Sequence, residues 1–225
     1  MSFITTIRED IANVKREDPA AQNGLVIFLT YPGLHAKWNH VPEHWLWNHG
    51  CKSLARIMSQ ITRHMTGVEI HPAARIGKHF FIDHAMGVII GETTVIGDNC
   101  TLYQGVTLGG TGNETGKRHP TLGNNVTVGC GAKVLGPLTI ADNCKIAAGA
   151  VVLTDIPENS TAVGIPARIV RRHGRKVDDL DQVHIPDPVA QELRKLRKEV
   201  NDLKKQVASL HSADSDDSGG RQAQE

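Results

Sequence analysis

The stretch IGETTVIGDNCTLYQGVTL, residues 90–108, places an aliphatic side chain at every sixth position. A period of six fits neither an α-helix nor a simple alternating β-strand. It is typical of short strands joined by tight corners and stacked, so that each aliphatic side chain packs on the one from the coil before. The sequence therefore predicts a solenoid of about four coils with three strands each. Its inward-facing positions are Ile70, Ile76, Ile82, Ile90, Ile96, Leu102, Leu108, Leu122, Val128, Val134, Ile140 and Ile146.

The six-residue spacing is broken at two places. The step that follows Ile82 is eight residues long, and the step that follows Leu108 is fourteen residues long. The first break carries His84, and the second carries His119 within the insertion GGTGNETGKRHPT. In solenoids, insertions leave the stack as loops and often form the binding face. Two tolerated surface loops with solvated histidines are the structural alternative.

Composition narrows the possible classes of protein. The formal charge of +1 gives no electrostatic reason to expect a nucleic acid partner. No apolar run approaches the ~18 residues that a membrane span needs, and no secretory leader opens the sequence. The four cysteines form no CxxC pair, so neither a zinc knuckle nor a redox motif is expected. We therefore expect a soluble cytoplasmic protein without a membrane segment.

The region before the repeat has a different character. Residues 1–66 contain two stretches with the apolar spacing of helices, FITTIREDIANVKRED and HWLWNHGCKSLARIMSQITRHM. We expect these stretches to form a helical cap on the first coil, because the exposed end of a solenoid needs covering. The repeat domain itself is predicted to span 67–172.

The sequence changes twice after the repeat. Pro186 and Pro188 mark a linker over 173–188, and 189–211 carries apolar residues at alternating spacings of four and three. This heptad pattern predicts a coiled-coil helix. The polar, low-complexity segment 212–225 is expected to be disordered.

Several short motifs are more specific than the repeat itself. They are DPA (18–20), EIHPAARIG (69–77), DHAMGVIIGET (83–93), VTLGGTG (106–112), RHP (118–120) and GIPARIV (164–170). In this combination the chain, from about Asp10 to Arg172, resembles the serine acetyltransferases, a family of hexapeptide-repeat acyltransferases. The resemblance implies a mainly β fold, a left-handed parallel β-helix with an N-terminal helical cap. It also implies acetyl transfer from acetyl-CoA to the hydroxyl of L-serine, giving O-acetyl-L-serine for cysteine biosynthesis.

Such chemistry needs a base that works near neutral pH, because the hydroxyl of serine is a poor nucleophile. An imidazole suits this task, and a carboxylate beside it fixes its tautomer and stabilises its charged form. His84 with Glu69 would supply this pair, since most of one coil separates them and returns the chain close to its start. In the family the position before IHP is commonly Asp, so Glu69 is a departure with a longer side chain.

The resemblance also assigns a pocket for the amino acid. Asp18 and Asp83 would face the substrate ammonium, while Arg118 and His119 would hold its carboxylate. These residue types fit a zwitterion, because it needs an acidic and a basic wall and arginine can bind a carboxylate through two parallel hydrogen bonds. The structural alternatives are a helix cap for Asp18 and an ordinary loop charge for Arg118.

Acetyl-CoA is the cosubstrate that the resemblance implies, and no metal is expected. A groove between neighbouring coils would take its pantetheine arm, with small residues that let backbone amides approach. Gly110, Cys130 and Ala148 stand where the family binds that arm, and Arg168 is a candidate for the phosphates. No Walker or Rossmann glycine motif supports nucleotide hydrolysis or hydride transfer.

Three other functions stay open from the residues alone. A zinc enzyme similar to the γ-class carbonic anhydrases would use the HxxxxH spacing of His79 and His84. An acetyltransferase could also take another hydroxyl acceptor, such as homoserine or a sugar. A trimeric scaffold without activity is the non-enzymatic alternative.

The family resemblance carries expectations about regulation and assembly. L-cysteine carries a thiol where serine has its hydroxyl, so it should inhibit by entering the same pocket. Only about 66 residues precede the coils, and we expect a homotrimer closed by the C-terminal coiled coil instead of the hexamer of longer members. Many members bind O-acetylserine sulfhydrylase through a terminal isoleucine, whereas this sequence ends in RQAQE. We therefore expect no such complex.

Overall fold

The computed structural model describes residues 3–113, 115–172 and 193–206. The chain divides into two units, Met1–Ile185 and Pro186–Glu225. The first unit begins with helices and continues with short strands, which is the order that the sequence predicts. The second unit is described separately below.

Four helices form the described N-terminal part of the first unit. They are α1 (Phe3–Glu17), α2 (Gly24–Thr30), α3 (Pro32–Asn48) and α4 (Lys52–Thr66). The second helical stretch of the sequence forms the end of α3 and most of α4, because the chain turns at Gly50 with φ +86°. This left-handed conformation favours glycine, which has no Cβ to clash. α4 ends in the same way at Gly67, where φ is +72°.

Short strands make up the rest of the first unit. They are β1 (Glu69–Ile70), β2 (Arg75–Ile76), β3 (Phe81–Asp83), β4 (Ile89–Ile90), β5 (Val95–Ile96), β6 (Thr101–Tyr103), β7 (Thr107–Gly109), β8 (Thr121–Leu122), β9 (Thr127–Val128), β10 (Lys133–Leu135), β11 (Thr139–Ile140), β12 (Lys145–Ile146), β13 (Val151–Val152), β14 (Ser160–Val163) and β15 (Arg168–Arg172). Most of them pair in parallel with the strand three places further on, as expected for three strands per coil.

These pairings create a three-sided solenoid. Face A has the strand order β1-β4-β7-β10-β13, and face B has the order β11-β8-β5-β2. Face C has the order β15-β14-β12-β9-β6-β3, in which only the end strand β15 runs antiparallel to its neighbour. The predicted parallel β-solenoid is confirmed.

The six-residue spacing fills the interior of the solenoid. The parallel register places Ile70 beside Ile90, Ile90 beside Leu108 and Leu108 beside Val134. All four of these side chains are at most 3% exposed. Burying one such aliphatic side chain contributes about 1.5–3 kcal/mol. The stack of aliphatic side chains is therefore the main stabilising element of this unit.

The solenoid is longer than the aliphatic spacing predicts. The spacing predicts about four coils, whereas face A has five strands. The additional coil is built on Val152, Ile156 and Ala162, each at most 2% exposed. The step from Val152 to Ile156 is four residues instead of six. The periodic signal therefore ends before the fold does.

Asparagine residues form one row of corners between faces B and C. Asn99, Asn125, Asn143 and Asn159 all have φ between +55° and +57°, a conformation that asparagine tolerates better than most residues. The side chains also bond along the stack, since Asn125 Nδ2 donates to Asn143 Oδ1 at 3.1 Å and Asn143 Nδ2 donates to Asn159 Oδ1 at 3.2 Å. These corners support the coils on the side away from the candidate site.

In the second unit, residues 193–206 form a helix, α5. Four apolar side chains along it are between 47% and 60% exposed, namely Leu193, Leu196, Val200 and Leu203. Their spacing agrees with the predicted heptad pattern. The predicted linker, the predicted tail and both ends of the predicted coiled coil lie outside the described residues. None of the described helices is long and apolar enough to span a membrane.

Candidate active site

The two breaks in the repeat lie at different corners of the solenoid. The C–A corner joins face C to face A, and His84 lies there between β3 and β4. The A–B corner joins face A to face B, and the insertion with Arg118 and His119 lies there between β7 and β8. Face A separates the two corners, so one chain does not bring the predicted acidic and basic walls together in its described part.

The eight-residue step lifts His84 off the solenoid wall. His84, Ala85 and Gly87 all have positive φ, at +55°, +54° and +76°. Such a run of left-handed residues is uncommon outside glycine, and it buries Ala85 while leaving the neighbouring His84 and Met86 exposed. The His84 side chain is 74% exposed, and its Nε2 lies 3.9 Å from Asp83 Oδ1. The extra length in the sequence therefore presents an accessible imidazole beside a carboxylate.

Two carboxylates converge next to this imidazole. Asp18 Oδ1 accepts the backbone N–H of Ala20 at 2.8 Å, a turn contact in place of the helix cap considered from the sequence, since Asn23 caps α2. Its Oδ2 accepts the hydroxyl of Tyr31 at 2.5 Å. Burial raises the pKa of Asp83, the nearby Asp18 raises it further, and His84 opposes the shift. Burial and the bond to Asp18 also raise the pKa of Tyr31 to about 12. A cation placed here would relieve the repulsion between the two carboxylates.

The basic wall is anchored to the turn between β4 and β5. Arg118 Nη2 donates to Glu92 Oε2 at 2.8 Å, and this bond lowers the pKa of Glu92. The hydroxyl oxygen of Thr93 accepts the backbone N–H groups of both Arg118 and His119 at 3.0 Å. Glu92 and Thr93 therefore hold the RHP segment in place, and the Arg118 side chain stays 39% exposed.

His119 is held in one tautomer. His119 is only 7% exposed, and its Nδ1 accepts the backbone N–H of Thr93 at 3.2 Å. A neutral imidazole that accepts at Nδ1 carries its proton on Nε2. Burial lowers the pKa of His119, and the charge of Arg118 lowers it further. His119 is therefore a neutral donor whose Nε2 lies against Gly91 and Gly110, where a Cβ would come within 2.1 Å and 3.3 Å.

Glu69, the predicted partner of His84, has other contacts in this structure. It lies at the start of β1, where Arg63 Nη1 is 3.0 Å from Glu69 Oε2 and Arg56 Nη2 is 3.7 Å from Oε1. Both arginines belong to α4. The carboxylate nearest to His84 in the described structure is that of Asp83. The pairing of His84 with Glu69 therefore stays a prediction.

The predicted acetyl-CoA residues are divided between the two corners. Cys130 and Ala148 lie on the C–A corner of later coils, above His84, where Gly131 N–H donates to Gln104 O and Gly149 N–H donates to Cys130 O at 2.8 Å. Gly110 lies at the A–B corner beside His119. Arg168 is exposed on β15 at the end of the stack. Cys130 and Ala148 therefore share the corner of His84, whereas Gly110 and Arg168 do not.

A cavity lies further along the A–B corner. Its volume is about 480 Å³, and its lining includes Thr111, Leu135, Pro137 and Leu153. Thr154 and Asp155 also line it, so the lining is mixed polar and apolar. Its position next to the insertion suits a flexible arm of a cosubstrate.

His79 and His84 are the two histidines that the zinc alternative would use. Within the described residues, no group of three or more His, Cys, Asp and Glu side chains is arranged to hold a metal ion. The backbone carbonyl of His79 accepts Asn13 Nδ2 at 3.1 Å. His79 thus takes part in joining α1 to the solenoid.

Several residues of the site are not identifiable from the sequence. Tyr31, Glu92 and Thr93 hold the predicted ligand-binding residues, but no motif spacing marks them. Arg56 and Arg63 carry a weak signal, because seven residues on a helix return to the same face after two turns. That signal indicates a shared face but does not indicate what the face contacts.

A three-sided parallel β-helix of six-residue repeats, with histidines at its two breaks, defines a hexapeptide-repeat acyltransferase. The family profile for bacterial transferase hexapeptide (six repeats) matches residues 119–154. The serine acetyltransferase of Bacillus pumilus is 52% identical over 209 residues, covering 92% of this chain and 96% of that protein. The chain belongs to the serine acetyltransferase family, and the predicted resemblance and left-handed β-helix are confirmed.

Solved structures of related serine acetyltransferases contain the ligands that the motifs imply. One is a complex with cysteine, with a TM-score of 0.73 at 43% identity, covering 75% of this chain and 70% of that one. The Neisseria gonorrhoeae protein in complex with serine has a TM-score of 0.72 at 40% identity, covering 75% and 69%. The Brucella abortus protein in complex with coenzyme A has a TM-score of 0.74 at 41% identity, covering 77% and 70%.

Proposed function

We propose that this chain transfers the acetyl group of acetyl-CoA to the hydroxyl of L-serine, giving O-acetyl-L-serine and CoA. The observation that carries the proposal is the exposed imidazole of His84 beside the paired carboxylates of Asp83 and Asp18. Family membership and the related complexes with serine and coenzyme A support it. A base next to an ammonium-binding wall is what an amino acid hydroxyl requires for attack on a thioester.

The proposed reaction uses His84 first as a base and then as an acid. Its imidazole removes the proton from the serine hydroxyl as Oγ forms a bond to the acetyl carbonyl carbon. The tetrahedral intermediate collapses, the carbon–sulfur bond breaks, and the imidazolium returns the proton to the CoA thiolate. Asp18 and Asp83 hold the ammonium, while Arg118 and the Nε2–H of His119 bind the carboxylate. Cys130, Ala148 and Gly110 line the path of the cosubstrate.

A thiol-release assay with several acceptors tests the proposal. Purified protein with acetyl-CoA should release CoA with L-serine and much more slowly with homoserine or a sugar. A site built for one hydroxyl position discriminates strongly against acceptors whose polar groups it leaves unpaired. A homoserine rate equal to the serine rate would favour the alternative acceptor, and no CoA release with any acceptor would favour the scaffold.

The position of the two corners supports a homotrimer as the active form. In a three-fold assembly with face A turned toward the axis, the C–A corner of one chain adjoins the A–B corner of the next. The acidic wall with His84 and the basic wall with Arg118 would then meet between subunits. A single chain supplies only half of each site.

An exposed apolar surface lies on α4, the helix that packs against β1 of face A. Four of its side chains, between 49% and 73% exposed, are Leu54, Ile57, Ile61 and Met65. Its buried side chains are the smaller Ala55, Ser59, Thr62 and Thr66. This is the reverse of the pattern expected for a helix on the surface of a monomer. Contiguous apolar surface of this kind marks an interface, which we assign to a second copy of the chain.

Complementation between inactive variants tests the shared site. At low serine the His84→Asn chain, which lacks the base, and the Arg118→Ala chain, whose serine KM should rise, should each have little activity alone and regain activity when co-expressed. Random mixing should restore about a quarter of the sites, because each site needs an intact half from two different chains. The control for chain mixing is a chain that carries both substitutions, co-expressed with a Gly24→Ala chain. Absence of any regained activity in mixed trimers would contradict the shared site.

We further propose that helix α5 contributes to this trimer as a parallel coiled coil. Its exposed heptad positions would be covered by the same positions of two other chains. Leu196→Glu with Val200→Glu should weaken the trimer, which light scattering would detect as a lower mass at low concentration. The matched control is Lys195→Glu with Lys198→Glu, because both lysines lie outside the apolar positions of the heptad. An unchanged trimer mass in the first variant would contradict the coiled coil.

L-cysteine is proposed as an inhibitor that competes with serine. Its ammonium and carboxylate match those of serine, and a related serine acetyltransferase structure is a complex with cysteine. With L-cysteine present, initial rates at varied serine should show an increased KM for serine and an unchanged kcat. A lowered kcat at saturating serine would contradict competition.

Three expectations from the sequence stay predictions. They are the cytoplasmic location, the absence of a metal and the absence of a complex with the sulfhydrylase.

A further inference from the structure

Glu69 is held from one side by two arginines on the helix that precedes it. Arg56 and Arg63 lie two turns apart on one face of α4. Arg63 Nη1 forms an ion pair with Glu69 Oε2 at 3.0 Å, and Arg56 Nη2 forms a longer ion pair with Oε1 at 3.7 Å. The Glu69 side chain is 22% exposed. Each carboxylate oxygen is thus ion-paired with one arginine, and the longer contact with Arg56 leaves Oε1 able to accept a hydrogen bond.

The backbone places this carboxylate one coil away from the His84 turn. Gly87 N–H donates to Gly67 O at 2.9 Å, and Glu69 N–H donates to Val88 O at 2.9 Å. Gly67 and Glu69 are therefore bonded to Gly87 and Val88, which lie three and four residues after His84. Any movement of α4 relative to β1 would move the Glu69 carboxylate relative to the imidazole.

We infer that Arg63, supported by Arg56, is a positioning residue that fixes the Glu69 carboxylate for its contact with His84. The inference rests on the proposed function, in which Glu69 orients the imidazole. It adds two residues of α4 that no motif marks. Arg63 itself touches neither substrate nor cosubstrate in this assignment.

The length of the glutamate side chain is consistent with this role. Glutamate has one more rotatable bond than the aspartate that is common at this position in the family, so it has more conformations to lose when it is ordered. An ion pair with Arg63 restricts the carboxylate to a few of them. Orientation of a catalytic pair is sensitive to shifts on the order of 1 Å. A longer carboxylate therefore benefits from a fixed cationic partner.

Steady-state kinetics of Arg63→Gln test the inference. We expect kcat to fall roughly fivefold to tenfold, since one partly exposed ion pair that orients Glu69 is lost. The serine KM should stay within about twofold, because Asp18, Asp83, Arg118 and His119 are untouched. Arg63→Lys, which keeps the charge within reach of Oε2, should recover most of kcat. Loss of kcat in Arg63→Lys equal to that in Arg63→Gln would contradict the positioning role.

The matched control is Arg16→Gln. Arg16 Nε also lies 3.0 Å from a glutamate oxygen, that of Glu17, and its side chain is similarly exposed, at 60% against 53% for Arg63. Removing this ion pair should leave kcat unchanged. Circular dichroism and melting temperature of both variants, measured on the full chain, check that each one folds.

A double variant separates this inference from the proposed function. If Arg63 acts through Glu69, then Arg63→Gln should lower kcat no further in a Glu69→Gln chain. A further fivefold loss in that background would overturn the inference while leaving the proposed function intact. If Glu69→Gln itself has normal kcat, the pairing of Glu69 with His84 fails, and the role of Arg63 fails with it. Normal kcat in His84→Asn would instead refute the proposed mechanism as a whole.

Discussion

Substituting alanine for Gly91 isolates the contribution of His119 without altering the imidazole itself. A Cβ at this position would lie 1.9 Å from Cδ2 and 2.1 Å from Nε2 of His119. Such contacts are impossible, so the imidazole must leave its place. The backbone accepts alanine, because Gly91 is not among the glycines with positive φ. The variant therefore displaces one side chain and leaves the coil intact.

The expected size of the effect follows from the bonds that His119 makes. Displacement breaks its hydrogen bonds with Thr93, at 3.2 Å to the backbone N–H and 3.0 Å to the hydroxyl, and removes the Nε2–H donor from the site. A hydrogen bond to a charged group contributes about 1.5–3 kcal/mol. Loss of the bond to the substrate carboxylate should then lower kcat/KM for serine about 10- to 150-fold.

The assay is thioester cleavage at varied serine, with two companion variants. Gly24→Ala is the control, because its added Cβ meets only Ile11 Cγ2 at 3.4 Å, and its kcat/KM should be unchanged. His119→Ala should show a loss similar to that of Gly91→Ala, and combining the two should add nothing further. Near-normal kcat/KM in Gly91→Ala, or a further tenfold loss in the double variant, would refute the reasoning.

Three other perturbations have defined outcomes. His84→Asn should lower kcat by ~10²–10⁴ with little change in serine binding, the usual contribution of a general base, as measured by steady-state kinetics. Tyr31→Phe removes the donor to Asp18 Oδ2 and keeps the ring, so the serine KM should rise by roughly threefold to tenfold at constant kcat, as expected for one lost hydrogen bond. Burial raises the pKa of Glu43 from 4.5 to about 7 in the folded chain. The folded chain therefore holds a proton that the unfolded chain releases, and the stabilisation from Glu43 is complete below pH 4.5 and lost as pH rises through 7. In thermal melts, Glu43→Gln should raise Tm relative to the parent chain, and the increase should be larger at pH 8 than at pH 5. An equal increase at both pH values would contradict this pKa.

The solenoid was predictable because its signal is periodic. Ile90, Leu108 and Val134 come to lie in one stack through a rule that the sequence repeats many times. His84 and His119 were predictable for a related reason, since each interrupts an otherwise regular pattern. The six-residue spacing does not predict the last coil, because the step from Val152 to Ile156 is only four residues long.

The contacts of the candidate site were less predictable. Asp18 and Asp83 belong to parts of the chain with no common pattern, yet α1 and β3 bring their charges close enough to interact. Arg63 pairs with Glu69 only because α4 packs against β1. Neither pairing has a repeat or a spacing that would indicate it.

By itself, the sequence determined the stacked coils, their breaks and the two histidines at those breaks, because burial of a repeated aliphatic side chain permits few arrangements. The tertiary structure alone decided which charges meet, with Glu69 ion-paired with Arg63 and Arg118 hydrogen-bonded to Glu92. It also decided that the two histidines occupy different corners. The physical reason is that electrostatic and hydrogen-bond partners depend on separations of a few ångströms between side chains, and these separations are set by how helices and loops pack on the solenoid.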